Sequence, residues 1–313
     1  MEWLILLVSG GGLYSSINDL TLFINAILKG TILPTAAAVR KWLKPRSTTS
    51  SLSTLVGRPW EILRTTQLTP EHPHTIDIYG KSGGAAGYRV QLSAIDQYNV
   101  GFVTLTAGPV DALNILNPAI MGTIMPAVEE EAREQGKRYT GSWSTTSAGG
   151  VQFNTSMDNG PGIKVDSITR NGSSIIEAIK GIFESEFTSF GFGILNPDLR
   201  IYPAGIEIAV PSNETSSLLA ATGHSSSNDD TGAPDLICQD WRINLDIIPL
   251  DGEAMSDLPG QRSLDEYCAS WQTVDWMHYG GEPPDRIVFV LDRNRGGEVV
   301  GVEVPVLRSG LLV

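Results

Sequence analysis

The chain has 313 residues, of which 41% are hydrophobic and 18% charged, an ordinary content for about two globular domains. Its formal charge of −13 is unevenly placed, because residues 1–138 hold 12 basic and 11 acidic side chains whereas residues 139–313 hold 10 and 24. A net charge of −14 on the second part argues against nucleic acid or an anionic membrane as its partner.

The chain begins with an apolar stretch, Met1 to Val8, that contains no Lys or Arg. It is shorter than the apolar core of about 7 to 15 residues expected with the basic flank of a signal peptide, so a strand remnant is favoured over a true signal. No stretch of the sequence approaches the ~18 apolar residues that a membrane span needs. The sequence therefore predicts no membrane span.

Two helices follow in the first part. Ser16 to Leu28 combines a capping serine with an apolar stripe at helical spacing, and Gly30 ends it. A second helix is predicted between Pro34 and Pro45.

A strand is predicted around Ile76 and Ile78, followed by a hairpin from Tyr88 to Thr106 and a long helix from Asp111 to Gln135. The first part should thus hold about three antiparallel strands with helices. Its last helix should cover the sheet.

From Tyr139 onward the pattern changes to short apolar runs separated by Gly, Asn, Asp and Ser. This spacing predicts an antiparallel β barrel or sandwich. The predicted strands are 149–153, 162–168, 174–179, 206–210 and 287–291. The fold class is therefore α+β: residues 1–138 form a partial antiparallel sheet with helices, and residues 139–313 form an all-β, barrel-like domain.

A cation and a hydroxyl stand side by side in Lys81-Ser82-Gly83-Gly84 at the end of the predicted strand. Lys81 can attract a substrate carboxylate or hold a neighbouring nucleophile deprotonated, and Ser82 can hydrogen-bond the same anion. Gly83 lets a ligand lie against the backbone. These groups could form half of an acyl-transfer site, the other half being a nucleophile with its base.

The sequence around this element resembles the serine β-lactamase and penicillin-binding-protein superfamily, in particular its fungal β-lactamase-like branch. Three segments carry the resemblance: Gly11 to Leu20, Lys81-Ser82-Gly83 with Gly87-Tyr88, and the tail with Cys268 to Trp271 and Tyr279-Gly280. The resemblance implies that Lys81, Ser82 and Gly83 are active-site residues and that the main-chain N–H of Gly84 is an oxyanion-hole donor. It also implies a lipocalin-like β domain over residues 139–313.

The family's nucleophile motif, Ser-x-x-Lys, and its Tyr-x-Asn motif are both absent from the sequence. We therefore expect the C-terminal portion of a longer serine hydrolase or acyltransferase that acts on an ester, amide or lactam and is catalytically incompetent alone. Its partners would be that small-molecule substrate and the missing N-terminal segment. In that case Ile78 and Phe102 should be exposed, and residues 1–138 should be the less stable part.

Other patterns compete for the chemistry. Gly80 to Gly84 also satisfies Gly-x-Ser-x-Gly, the nucleophile elbow, which needs a helix after its serine. His72-Pro73-His74 has a metal-ligand spacing, but exposed turn histidines are the favoured interpretation. An acidic loop at Asp229, Asp230 and Asp235 is interpreted as solvated rather than calcium-binding. We predict neither a metal nor another cofactor.

Three N-glycosylation sequons, at Asn154, Asn171 and Asn213, predict a secretory-pathway parent protein. Cys238 and Cys268 are its two cysteines. An oxidising compartment would let them pair, although two buried free thiols are the alternative. The competing function is a non-catalytic protein whose β domain binds an apolar small molecule or a partner.

Overall fold

The computed structural model describes residues 13–313 apart from several gaps, and it divides into two compact units, Met1–Glu134 and Gln135–Val313. The gaps are 86, 110, 146–149, 195–197, 212, 215–217, 219–234, 246, 250–269, 271–273 and 276. The division falls close to the boundary predicted after residue 138. None of the helices in the described part is long and apolar enough to cross a bilayer.

In its described residues, the first unit is an antiparallel sheet of six strands in chain order with three α-helices. Its elements are α1 (Ile17–Leu28), α2 (Ala36–Leu43), β1 (Ser47–Thr48), β2 (Thr54–Val56), β3 (Glu61–Thr65), β4 (Ile76–Ala85), β5 (Tyr88–Ile95), β6 (Val100–Ala107) and α3 (Ala112–Gly136). The three predicted strands are β4, β5 and β6. The short strands β1 to β3 were not predicted, because none is long enough to show a clear alternation.

Both early helices begin at side-chain caps. The Ser16 hydroxyl accepts a hydrogen bond from the N–H of Asp19, and the Thr35 hydroxyl accepts one from Ala38. These caps satisfy N–H groups that have no partner within the first turn, which is why each helix begins where it does. The predicted helices are confirmed at both places.

The six-stranded sheet is covered on both faces. On one face, Ile62, Tyr79 and Leu92 pack with the buried sides of α1 and α2. On the other face, Ile76, Ile78, Ile95, Phe102, Met121 and Met125 form one cluster that joins β4, β5 and β6 to α3. The sheet therefore has two apolar faces, each with its own helical layer.

The expectation that Ile78 and Phe102 are exposed was wrong. Their exposed fractions are 6% and 9%, and they lie in the cluster that Met121 and Met125 of α3 complete. A methionine side chain is unbranched and flexible, so it fills irregular gaps above a sheet. Helix α3 therefore takes part in burying this face, together with Leu68 and Tyr98 from the connecting segments beside it.

The second unit is built around an eight-stranded antiparallel sheet. The path of this sheet is β16-β15-β13-β12-β9-β8-β7, with β10 paired to β9, and β11 and β14 form a separate pair. Its elements are β7 (Gly141–Ser144), β8 (Val151–Ser156), β9 (Ile163–Arg170), β10 (Ser173–Ser174), α4 (Ile175–Phe187), β11 (Phe192–Ile194), β12 (Arg200–Ala209), β13 (Leu236–Asn244), β14 (Ile247–Pro249), β15 (Arg286–Asp292) and β16 (Glu298–Glu303).

The last two residues of the sequence close this sheet into a barrel. Val313 exchanges two backbone hydrogen bonds with Ser144 of β7, at 3.0 and 3.1 Å, and Leu312 exchanges two with Val302 of β16, at 3.0 and 2.8 Å. Leu312 is fully buried. The two edge strands are thus bridged, and closure removes edges that would otherwise offer unpaired backbone groups.

The barrel interior is filled by aromatic side chains. The ring of Phe289 lies 5.1 to 5.8 Å from the rings of Tyr139, Trp143 and Trp241, and Phe153 is fully buried beside them. Rings at these separations pack favourably, and each buries a large apolar area. Aromatic side chains therefore fill the interior of this unit where its strands meet.

One predicted strand, 174–179, is a helix. Ser174 caps α4 by accepting a hydrogen bond from the N–H of Glu177, and Ile176 and Phe183 are buried against the barrel core. The Ser174-x-x-Glu177 spacing is typical of a helix start, but the run of Ile residues that follows was interpreted as strand. The second unit is consequently not all-β.

An ion pair between a buried arginine and a partly exposed aspartate holds the start of β12. Arg200, which is 7% exposed, donates to both carboxylate oxygens of Asp158 at 2.9 and 2.7 Å. These hydrogen bonds lower the pKa of Asp158 to about 2, although partial burial opposes the shift. The stabilisation is present above the unfolded-state pKa of about 3.9 and is lost as the pH falls towards the folded value.

We expect Asp158→Asn to lower the free energy of unfolding by about 1 to 2 kcal/mol at pH 7, since Arg200 loses its charged partner while Asp158 itself is partly solvated. Urea unfolding should show this cost shrinking as the pH falls from 5 to 2. Asp235→Asn, at an exposed and distant pair with Arg293, is the matched control and should change stability by less than about 0.5 kcal/mol. An equal cost of Asp158→Asn at pH 7 and pH 2 would contradict this account.

Candidate functional site at the end of strand β4

Strand β4 extends beyond its neighbour β3. The first residue of β3, Glu61, pairs with Gly80, whereas the pairing of β4 with β5 continues to Ala85. Lys81 to Ala85 are all exposed. Among the described strands, this segment is thus paired on one side and open on the other.

The open edge carries main-chain donors. The N–H of Ser82 points to this edge, since it donates to a carboxylate oxygen of Glu61 at 3.1 Å. Backbone groups of alternate strand residues point to the same side, so the N–H of Gly84 points to the same edge. The geometry is that of an edge that can bind an oxygen atom of a ligand.

The Glu61 carboxylate binds both polar residues of the edge. One oxygen accepts a charge-assisted hydrogen bond from Nζ of Lys81, and the other accepts from the Ser82 hydroxyl at 2.8 Å as well as from the Ser82 N–H. Burial raises the pKa of Glu61, but the hydrogen bonds from Lys81 and Ser82 outweigh it, and the net pKa is lowered. Glu61 is therefore held as a carboxylate.

This arrangement does not activate Ser82 as a nucleophile. A hydroxyl needs a base that can accept its proton near neutral pH, and a carboxylate whose pKa is lowered is a poor base. Glu61 lies 21 residues away from Ser82 in the sequence, so no local spacing predicts this contact.

The structure agrees with the strand pattern after Gly87, which disfavours the nucleophile-elbow alternative. Ser82 lies within β4, and the turn at Gly87 leads into strand β5 instead of a helix. The elbow needs a sharp turn from a strand into a helix, which holds its serine above the sheet. Ser82 instead has the extended backbone of a paired strand.

The glycines of the segment make room for neighbouring side chains. A Cβ atom at Gly84 would lie 2.2 Å from a guanidinium nitrogen of Arg89, and one at Gly83 would lie 3.0 Å from a methyl group of Val90. Arg89 therefore lies across Gly84, at the same end of the sheet as Lys81. It is a second cation next to the open edge.

The two histidines of the His72-Pro73-His74 segment are half-buried and not exposed as expected, and the ring of His74 is held by hydrogen bonds. Nδ1 of His74 lies 2.8 Å from the carbonyl oxygen of His72, and its Nε2 lies 2.8 Å from the Tyr98 hydroxyl. Tyr98 in turn donates to Glu129 of α3. Within the described ranges, no group of three or more His, Cys, Asp or Glu side chains is placed to hold a metal ion.

The Tyr98 hydroxyl is a poor candidate for chemistry. Burial, the hydrogen bond to Glu129 and the charge of that carboxylate all raise its pKa far above the ordinary value of a tyrosine. It therefore stays protonated at neutral pH and links a loop, a turn and a helix.

The three sequons lie in different settings. Asn171 has φ +51° in the exposed turn between β9 and β10, and Asn213 is exposed as well. Asn154 lies inside strand β8, where its Nδ2 donates to the Ser167 hydroxyl at 2.7 Å. Asn154 thus lies in a paired strand, unlike Asn171, which lies in a turn.

The cysteine prediction is only half covered by the structure. Cys238 is half-buried on β13, and burial raises the pKa of its thiol. Cys268 lies outside the described residues, as do Asp229, Asp230 and Met1 to Gly12. The pairing of Cys238 with Cys268 stays a prediction.

Comparison with known proteins gives this geometry a context. Residues 131–313 match the family described as "Beta-lactamase-like-like, C-terminal domain". A beta-lactamase-like protein of Arthroderma benhamiae is 48% identical over 97% of this chain and 49% of its own length. The protein named "Probable hydrolase clz13" of Cochliobolus lunatus is 23% identical over 91% of this chain and 41% of its own length. No solved structure matches the chain.

The chain spans about half the length of the curated relatives that it matches. The similarity to the Arthroderma benhamiae protein covers both units, whereas the family match covers the second unit and the end of α3. The open edge of β4 thus lies in the part that only the pairwise similarities cover.

We expect Tyr98→Phe to lower the free energy of unfolding by about 1 to 3 kcal/mol, because His74 and the buried Glu129 both lose the hydroxyl between them. Chemical denaturation measures this cost. Tyr88→Phe removes a hydroxyl from a side chain that is 67% exposed and should cost less than about 0.5 kcal/mol. Equal costs for the two variants would show that the contacts of Tyr98 do not stabilise the fold.

Proposed function

The chain belongs to the β-lactamase-like family whose C-terminal domain it carries, and from this premise we propose that it supplies one wall of an acyl-transfer site. The wall is the open edge of β4, and the reaction is hydrolysis or acyl transfer on an ester, amide or lactam. The open edge itself, with a cation, a hydroxyl and aligned main-chain donors, is the observation that carries the proposal.

Each group of the edge has a role in this proposal. Lys81 supplies positive charge next to the reacting carbonyl, and the N–H of Gly84 supplies one donor to the oxygen on which negative charge develops. Ser82 positions the substrate by a hydrogen bond. Gly83 has no side chain, so the substrate can lie against the strand.

The nucleophile must come from another segment. The sequence contains no Ser-x-x-Lys, and the Ser82 hydroxyl is bound to a carboxylate that is a poor base. A covalent acyl intermediate needs an activated nucleophile. We therefore infer that the chain alone has negligible acyl-transfer activity.

The alternative, a small molecule bound inside the β unit, gains no support from the barrel. Lipocalin-like binding needs a hollow barrel, whereas Phe289, Trp143, Phe153 and Trp241 fill this one. A small cleft between α4 and the barrel, lined in part by Phe183 and Met277, offers little room. The acyl-transfer proposal is favoured.

A secretory-pathway location of the parent protein is part of the proposal. If the chain is glycosylated, we expect a glycan at Asn171, in an exposed turn, and little at Asn154, whose amide nitrogen is bound within the sheet. Peptide mapping of protein secreted from eukaryotic cells, before and after enzymatic deglycosylation, measures the occupancy of each site. Full occupancy at Asn154 with none at Asn171 would contradict the expectation.

We expect a fusion that joins the unmatched half of the Arthroderma benhamiae relative to this chain to hydrolyse a neutral chromogenic ester. The chain alone should match the buffer rate, and a fluorophosphonate probe should leave Ser82 unlabelled. Lys81→Ala in the fusion should lower kcat/KM by about 10²- to 10³-fold, since one electrostatic contact to the transition state is lost.

Lys41→Ala, at an exposed position on α2, is the control and should leave kcat/KM unchanged. Labelling of Ser82 in the chain alone would show that this serine is itself the nucleophile. If the fusion does not fold, the labelling result on the chain alone still tests the incompetence of Ser82.

A further inference from the structure

Three donors of the open edge that could bind a substrate carboxylate are already bound to one internal carboxylate, and only the N–H of Gly84 is left out of this set. Nζ of Lys81, the N–H of Ser82 and the hydroxyl of Ser82 all donate to Glu61. An ammonium, an N–H and a hydroxyl converging on two oxygens are what recognition of a carboxylate requires. Glu61 therefore occupies the place that an anionic ligand would take.

We propose that Glu61 determines the charge specificity of this site, so that the site accepts neutral acyl substrates and rejects those that carry a carboxylate next to the reacting group. The proposal rests on the function proposed above and narrows its substrate class. An incoming carboxylate would have to displace Glu61 or sit beside a like charge, and either outcome disfavours it.

The backbone of Glu61 is held in place by its neighbours, so a ligand that takes both Ser82 donors must displace the Glu61 side chain. Trp60 and Ile62, on either side of Glu61, are 2% and 1% exposed. Glu61 itself is in register with Gly80, one residue before Lys81. Packing of its two neighbours in the core thus aims the carboxylate at the edge of β4.

Two cations, Lys81 and Arg89, lie near this edge, and their effects on an incoming anion differ. Lys81 is paired with Glu61, so a distant anion meets no net charge from this pair, although the Lys81 ammonium still acts on groups that touch it. Arg89 lies across Gly84 and adds positive charge that Glu61 does not contact in the structure. Weak attraction of anions by Arg89 is therefore expected to be independent of Glu61, and an experiment must separate the two.

The test is a titration of this chain with acetate and with acetamide, followed by the backbone amide NMR signals of Ser82 and Gly84. Acetate carries the charge, and acetamide is its neutral counterpart of similar size. In the wild-type chain we expect acetate to leave the Ser82 signal in place. In Glu61→Gln we expect acetate to bind at least tenfold more tightly, with acetamide binding changed by less than twofold.

Three further variants make the result specific. Glu61→Ala removes both carboxylate oxygens and should behave like Glu61→Gln, which covers the case in which the Gln amide refills the space. Glu71→Gln removes the same charge from an exposed loop position and should leave acetate binding as in the wild type. Arg89→Ala should weaken any acetate effect at Gly84 without changing the gain from Glu61→Gln.

The inference would be overturned if acetate bound the wild-type chain as tightly as it binds Glu61→Gln. It would also be overturned if acetate bound neither Glu61→Gln nor Glu61→Ala. Neither result depends on catalysis, so both leave the proposed function standing. Conversely, a fusion that folds but hydrolyses nothing would overturn the proposed function while the acetate titration still decides whether Glu61 excludes anions.

Discussion

Strand β3 begins opposite Gly80, and the possible chemistry of the first unit depends on this one register position. Because β3 begins there, Lys81 to Ala85 are paired on one side only among the described strands, and their edge is open. The same register places Glu61 next to the open segment. An edge of unpaired backbone donors invites contact with another chain unless charged side chains guard it. Lys81 and Glu61 are charged side chains of this kind, and they disfavour pairing of the open edge with a strand of another chain.

The two units solve the problem of sheet edges in different ways. The first unit covers both faces of its sheet with helices and leaves the end of β4 open. The second unit closes its sheet through Leu312 and Val313, so that the strands at its two edges are bridged. A closed barrel packed with aromatic side chains is a rigid support, whereas an open edge with donors suits binding. The possible chemistry is therefore assigned to the first unit.

Local patterns in the sequence predicted the local structure well. The cap at Ser16, the hairpin around Asp96 to Asn99 and the long helix α3 each depend on residues close in sequence, and each is confirmed. The spacing of Ser174 and Glu177 is typical of the start of helix α4. The sequence nevertheless predicted a strand there, because the Ile residues that follow favour a strand when they are considered alone. Short-range signals thus decide short-range structure, except where two of them conflict.

What depends on pairing between distant segments could not be predicted. Glu61 approaches Lys81 and Ser82 only through the register of β3 with β4, and nothing around Glu61 in the sequence indicates it. The burial of Ile78 and Phe102 depends on Met121 and Met125, which lie on a helix whose direction across the sheet the sequence does not specify. The identity of the edge residues was predictable from their motif, but the charge that surrounds them was not.

The contact between Glu61 and the edge of β4 is the central claim, and a crystal structure of this chain tests it most directly. We expect electron density for the Glu61 carboxylate within hydrogen-bond distance of Nζ of Lys81, with an oxygen about 3 Å from both the N–H and the hydroxyl of Ser82. A Glu61 side chain turned to solvent, with Lys81 free and Ser82 bound only to water, would contradict it.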